Sequence, residues 1–105
     1  MSNEDPSRFP ELGYCLFRDG LSPAALEPYS TYVDEALAEG RPLGEMHAFV
    51  ASWRSLCCHP KILRALEASL GTPELILFFS SAFVKQPHDA KRVDWHQDNT
   101  YWPAI

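Results

Sequence analysis

A chain of 105 residues, 46% hydrophobic and 22% charged, has the makeup of one small globular domain, which argues against disorder of the whole chain. Its net charge is −5, and no run of Lys and Arg is longer than the pair Lys91-Arg92. A nucleic-acid groove needs a basic footprint and an anionic membrane surface selects the same charge, so neither partner is expected.

The first residues, MSNEDPSRFPELG, are polar and acidic, without the basic and apolar regions of a signal peptide. Residues 1–12 read as a polar arm. Gly13-Tyr14-Cys15-Leu16-Phe17-Arg18 is a short apolar run closed by the turn pair Asp19-Gly20, and it reads as a strand. Ser22-Pro23 has the form of an N-cap followed by proline at the first helical position. Leu26, Tyr29, Val33 and Leu37 then recur at helical spacing, and Glu39-Gly40 closes the helix. Pro28 inside this pattern predicts either a kinked first turn or a later start.

Phe49, Trp53 and Leu56 can share one helical face. Pro60 opens a clearer helix with Ile62, Leu63, Leu66 and Leu70 as its apolar stripe and Gly71 as its cap. Residues 75–84 are the most apolar run, rich in aromatics and lacking helix caps, which favours a strand. Gln86-Pro87-His88-Asp89 breaks that run, and residues 91–98 return as another strand. Helices beside strands predict an α+β domain, expected to run as a single unit over residues 1–105.

The three cysteines, Cys15, Cys57 and Cys58, make a poor disulfide framework, because the count is odd and two are adjacent. They read as reduced, partly buried thiols, and no CxxC supports a structural zinc. No run of about 18 apolar residues exists to span a membrane. The cytoplasm is the expected compartment.

The stretch Trp95-His96-Gln97-Asp98-Asn99-Thr100-Tyr101-Trp102-Pro103 carries the densest chemistry. On a strand, His96 and Asp98 point to one side and Gln97 to the other. An imidazole and a carboxylate on one face suit a borderline metal. Two histidines and one carboxylate on one octahedral face leave three positions open for a bidentate oxoacid and dioxygen. HxD spacing alone is a weak signal that arises often by chance, and a solvent-facing strand with ordinary hydrogen bonds is its more common explanation. Trp95, Tyr101 and Trp102 have an equally plain reading as core or sheet-covering rings.

In order along the chain stand Trp53, His59-Pro60, Ile62-Leu63, Leu70-Gly71, Phe83-Val84-Lys85-Gln86-Pro87, Trp95-His96-Gln97-Asp98 and Tyr101-Trp102-Pro103. This series resembles the phytanoyl-CoA dioxygenase family of Fe(II)/2-oxoglutarate oxygenases. Phe17-Arg18-Asp19-Gly20 and the helix after Ser22-Pro23 resemble its N-terminal part more weakly. The resemblance implies a double-stranded β-helix, a cupin-like jelly-roll barrel with helices packed outside. It implies His96 and Asp98 as the first two iron ligands, and no catalytic group beyond the metal ligands. By the same resemblance Ser81 falls at a 2-oxoglutarate contact, although lipid-acting members often carry methionine there. Lys85 falls at a recurrent family lysine, with a solvated strand-end lysine as its plain alternative. The implied reaction couples oxidative decarboxylation of 2-oxoglutarate, with dioxygen, to hydroxylation of a small organic or lipid-like substrate.

The family also uses a later histidine as third ligand and a basic residue for the distal carboxylate of 2-oxoglutarate. No histidine follows His96 and no arginine follows Arg92 in these residues. His88 is the nearest stand-in, across a proline turn, while His47 and His59 fall in helical segments. Three expected strands are fewer than the eight or so of a jelly roll. The expectation is therefore a partial domain, the N-terminal part of a longer oxygenase, with an open sheet edge that a partner chain could cover. Two other readings compete: an inactive truncated fragment that binds or regulates, and a small metal hydrolase, for which His and Asp are too few.

Overall fold

Helix boundaries in this chain are set by side chains and prolines that the sequence displays. The structure, a computed structural model, describes residues 3–100. Among them are the helices α1 (Phe9–Leu12), α2 (Pro23–Ala38), α3 (Met46–Phe49), α4 (Ala51–Cys57) and α5 (Pro60–Leu70), with 3-10 turns at Pro6–Arg8 and Asp98–Thr100.

α2 starts where its cap predicts. The Ser22 hydroxyl accepts the Ala25 N–H at 3.2 Å, and Pro23 takes the first helical position. Pro28 removes one intrahelical donor, yet the helix runs through it from Pro23 to Ala38, so the later start does not occur. At the far end Gly40 takes a left-handed φ of 67°. Its N–H reaches the Leu37 carbonyl at 3.2 Å, and the Arg41 N–H reaches the Ala36 carbonyl at 2.8 Å. This pair of bonds is the Schellman closure.

The buried face of α2 is rotated from the predicted one. Leu26 and Leu37 are both 36% exposed, whereas Tyr29, Tyr32 and Val33 are half-buried and Ala36 is fully buried. Trp53 of α4 decides this. Its ring meets Tyr29 edge-on at 6.0 Å and Tyr32 at 6.4 Å, and the Arg41 guanidinium lies 4.8 Å from the centre of the Tyr32 ring. These contacts draw the tyrosine face inward, past the two leucines.

The predicted face of Phe49, Trp53 and Leu56 also divides. Val50 is extended at φ −118° and separates α3 from α4. Trp53 and Leu56 turn inward, but Phe49 is 83% exposed. Met46, at the start of α3, is buried to 2% exposure.

α5 starts and stops where Pro60 and Gly71 predict. The His59 Nδ1 accepts the Lys61 N–H at 3.1 Å, and Gly71, at φ 70°, donates its N–H to the Glu67 carbonyl at 2.8 Å. Ile62 and Leu63 are half-buried, while Leu66 and Leu70 line an open groove of about 700 Å³ with Phe9, Phe17 and Leu21.

The expected polar arm is folded back instead. Its 3-10 turn and α1 both pack on α5. Asn3 is buried, and its amide donates to the Tyr14 carbonyl at 2.8 Å while its side-chain oxygen accepts the Asp5 N–H at 3.1 Å. The Leu16 N–H closes on the Asn3 carbonyl at 2.8 Å. The sequence reading missed this because the tie runs through backbone groups more than ten residues away.

Strand pairing among the described residues comes to one antiparallel bridge, Gly44 to Ser81, with the Ala82 N–H on the Leu43 carbonyl at 3.0 Å. A helix closes its hydrogen bonds within its own segment, whereas a strand needs a neighbour. One bridge neither draws nor rules out the expected jelly-roll portion of an α+β domain. No described helix is long and apolar enough to cross a membrane.

Candidate metal site

Residues 94–98 bring the imidazole and carboxylate together by a turn. His96 Nδ1 lies 2.7 Å from the Asp94 carbonyl oxygen, which can only accept, so Nδ1 carries the proton. In the neutral ring the lone pair is then on Nε2. That atom stands 3.3 Å from Asp98 Oδ1. Asp98 opens the final 3-10 turn, closed by the Thr100 N–H on the Gln97 carbonyl at 3.0 Å. The heads meet as predicted, but the chain turns to bring them together.

A protonated Nε2 would donate to Asp98 Oδ1 at this distance, and a metal ion could take the place of that proton between the two atoms. Two donors each about 2.1 Å from a metal ion and at right angles to one another lie about 3 Å apart. The spacing of His96 and Asp98 thus fits two neighbouring positions around one ion. A carbonyl on the far ring nitrogen is the usual way a ligating histidine is oriented. The side chains differ in access: His96 is 31% exposed and Asp98 72%. His96 sits with Val93, Asp94 and Trp95 around a shallow hollow of about 290 Å³.

Among the described residues no group of three or more His, Cys, Asp or Glu side chains could hold an ion. His88 therefore does not complete the site. It occupies the third position of a tight turn, closed by the Asp89 N–H on the Gln86 carbonyl at 3.0 Å, with a left-handed φ of 64°. His59 is used as the cap of α5. His47 binds Ser80: Nδ1 lies 2.6 Å from the Ser80 hydroxyl, which also accepts the His47 N–H at 3.3 Å. Ser81 holds the bridge to Gly44, with its side chain exposed, and Lys85 is exposed. Tyr101, Trp102 and Pro103 lie outside the described residues.

Two features escaped the sequence reading. The Asp94 carbonyl that orients His96 is a backbone group, for which no residue type is a signal. The His47–Ser80 pair spans 33 positions, and neither residue stands in a motif.

The family model described as phytanoyl-CoA dioxygenase matches residues 34–105, more than half of the chain. The chain belongs to that family. The match takes in Trp53, Pro60, Ser81, Lys85, His96 and Asp98, and it begins within α2, after the weaker N-terminal likeness. Phytanoyl-CoA dioxygenase-family proteins generally depend on Fe(II) and 2-oxoglutarate, which makes a dioxygenase-type oxidoreductase function the reading for this chain. No curated protein and no solved structure matches it.

Proposed function

We propose that this chain carries two ligands of an Fe(II)- and 2-oxoglutarate-dependent hydroxylase acting on a small organic or lipid-like substrate. The observation that carries the reading is the 3.3 Å approach of His96 Nε2 to Asp98 Oδ1, with His96 Nδ1 held by the Asp94 carbonyl. Iron with bound 2-oxoglutarate supplies oxidative decarboxylation of the oxoacid by dioxygen, with succinate and carbon dioxide as products and hydroxylation of the substrate. The residues present have simpler duties. The Asp94 carbonyl fixes the proton on Nδ1, keeps Nε2 available and sets the ring plane. Asp98 supplies negative charge that offsets the cation's own.

Two protein donors are too few for the facial triad. We place the third histidine and the basic residue for the distal carboxylate outside residues 1–105. The expected jelly roll would be completed by the same additional chain, or its open edge by a partner. The exposed run supports such a cover: Ile76 is 88% exposed and Phe83 76%.

The test is Fe(II)-dependent succinate release from 2-oxoglutarate by the complete gene product. His96→Ala should lower turnover by more than about 100-fold with helical circular dichroism unchanged. Turnover that survives the substitution would remove His96 from the metal.

A further inference from the structure

Ser81 stands between two points of attachment to the segment that opens α3. On one side, the Ser80 hydroxyl accepts the His47 N–H at 3.3 Å and lies 2.6 Å from His47 Nδ1. That oxygen accepts the amide proton on one lone pair, and it either donates its own proton to Nδ1 or accepts one from it, according to the His47 tautomer. On the other side, the Ala82 N–H donates to the Leu43 carbonyl at 3.0 Å, and Ser81 itself bridges Gly44. Ser80 and Ala82 are half-buried, while Ser81 between them is exposed. That alternation presents the Ser81 side chain away from the attachment.

The gripping segment is itself held. Arg54 Nε donates to the His47 carbonyl at 2.9 Å, tying α4 back onto α3. Met46, next to His47, is buried. Glu45 takes a left-handed φ of 50° immediately before α3. A non-glycine residue keeps such a conformation only where its surroundings impose it.

We infer that the His47–Ser80 pair is a positioning device that sets the depth and direction of Ser81 toward the oxoacid co-substrate. The inference rests on the proposed iron and 2-oxoglutarate reading and on the family resemblance, by which Ser81 falls at a 2-oxoglutarate contact. His47 and Ser80 act through Ser81 and touch no reactant. Loss of the pair leaves the His96–Asp98 arrangement intact but lets the 80–82 segment shift against α3. The effect belongs on the affinity for 2-oxoglutarate.

The experiment is steady-state succinate release by the complete gene product as 2-oxoglutarate is varied at saturating Fe(II). His47→Ala and Ser80→Ala should each raise the KM for 2-oxoglutarate about fivefold to tenfold, with kcat changed less than twofold. His47→Asn should restore most of the affinity, because its side-chain amide can accept the Ser80 proton or donate to the Ser80 oxygen where Nδ1 stood. A lesion of packing alone would not be rescued by asparagine, so a KM that stays raised in His47→Asn overturns the inference. An unchanged KM in Ser80→Ala overturns it as well, even where His47→Ala fails to fold. In both results the wild-type enzyme turns over, and the iron-site reading stands. A wild-type protein with no Fe(II)-dependent turnover overturns the iron-site reading and this inference together.

Discussion

Residues 20–71 and residues 72–100 are built on different principles. In the first region, each long helix carries its own start and stop: Ser22 and Gly40 bound α2, and His59 and Gly71 bound α5. Its aromatic contacts converge on Trp53, and its buried side chains are Ala36, Met46 and Ser69. In the second region the apolar side chains stand in the open: Ile76 is 88% exposed, Phe79 49% and Trp95 fully so. The contrast teaches that hydrophobic content alone does not make a core. The helices satisfy their backbone groups locally and need neighbours only for their faces. The apolar run at 75–84 needs neighbours for its backbone as well, and among the described residues it has one bridge.

Truncating both regions tests this contrast most strongly. In the 105-residue chain, Met46→Ala should cost about 2–5 kcal/mol in urea unfolding, the usual range for a buried methionine. Ile76→Ala should change stability by less than about 0.5 kcal/mol, as for exposed sites. Equal losses would show that the 75–84 run is covered in solution, and the comparison between the regions would break.

A smaller effect sharpens the same contrast. Ser22→Ala should cost about 1 kcal/mol through loss of the α2 cap, read from the same urea midpoints. If the cost is absent, the start of α2 is imposed by packing and not by its cap.

The smallest effect is a pH dependence at the N-terminal turn. The Ser7 hydroxyl and Ser7 N–H bond the Asp5 carboxylate at 2.7 and 3.0 Å, and with help from the Arg8 charge they hold its pKa below the usual 3.8. The folded form thus binds this proton less readily than the unfolded chain. The contribution is fully present above pH 4 or so and is lost as pH falls through the lowered folded value. Chemical shifts of the Ser7 amide should follow that titration in the wild type and stay flat in Asp5→Asn. An Asp5 midpoint at or above the ordinary aspartate value would remove the cap.

The legible parts of the molecule share a cause. Ser22-Pro23, Pro60, Gly71 and the turn at Gln86-Pro87-His88-Asp89 were readable because each acts within a few residues of itself. The candidate ligands were readable as a pair for the same reason, since His96 and Asp98 are two positions apart and meet at 3.3 Å. The sequence reading put the pair on a strand. The structure sets Asp98 in a 3-10 turn, closed by the local bond from the Thr100 N–H to the Gln97 carbonyl.

By itself, then, the sequence determined where the long helices begin and end, which two side chains can share an ion, and the family likeness they carry. Tertiary structure decided which faces those helices bury. Tyr29, Tyr32 and Ala36 turned inward because Trp53 arrived there, and Leu26 and Leu37 did not. Tertiary structure also paired His47 with Ser80 across 33 positions and tied Asn3 to Tyr14 and Leu16. Caps and turns are short-range and leave marks in adjacent residues. Packing and backbone carbonyls act across the chain, where residue identity carries no record of the neighbour.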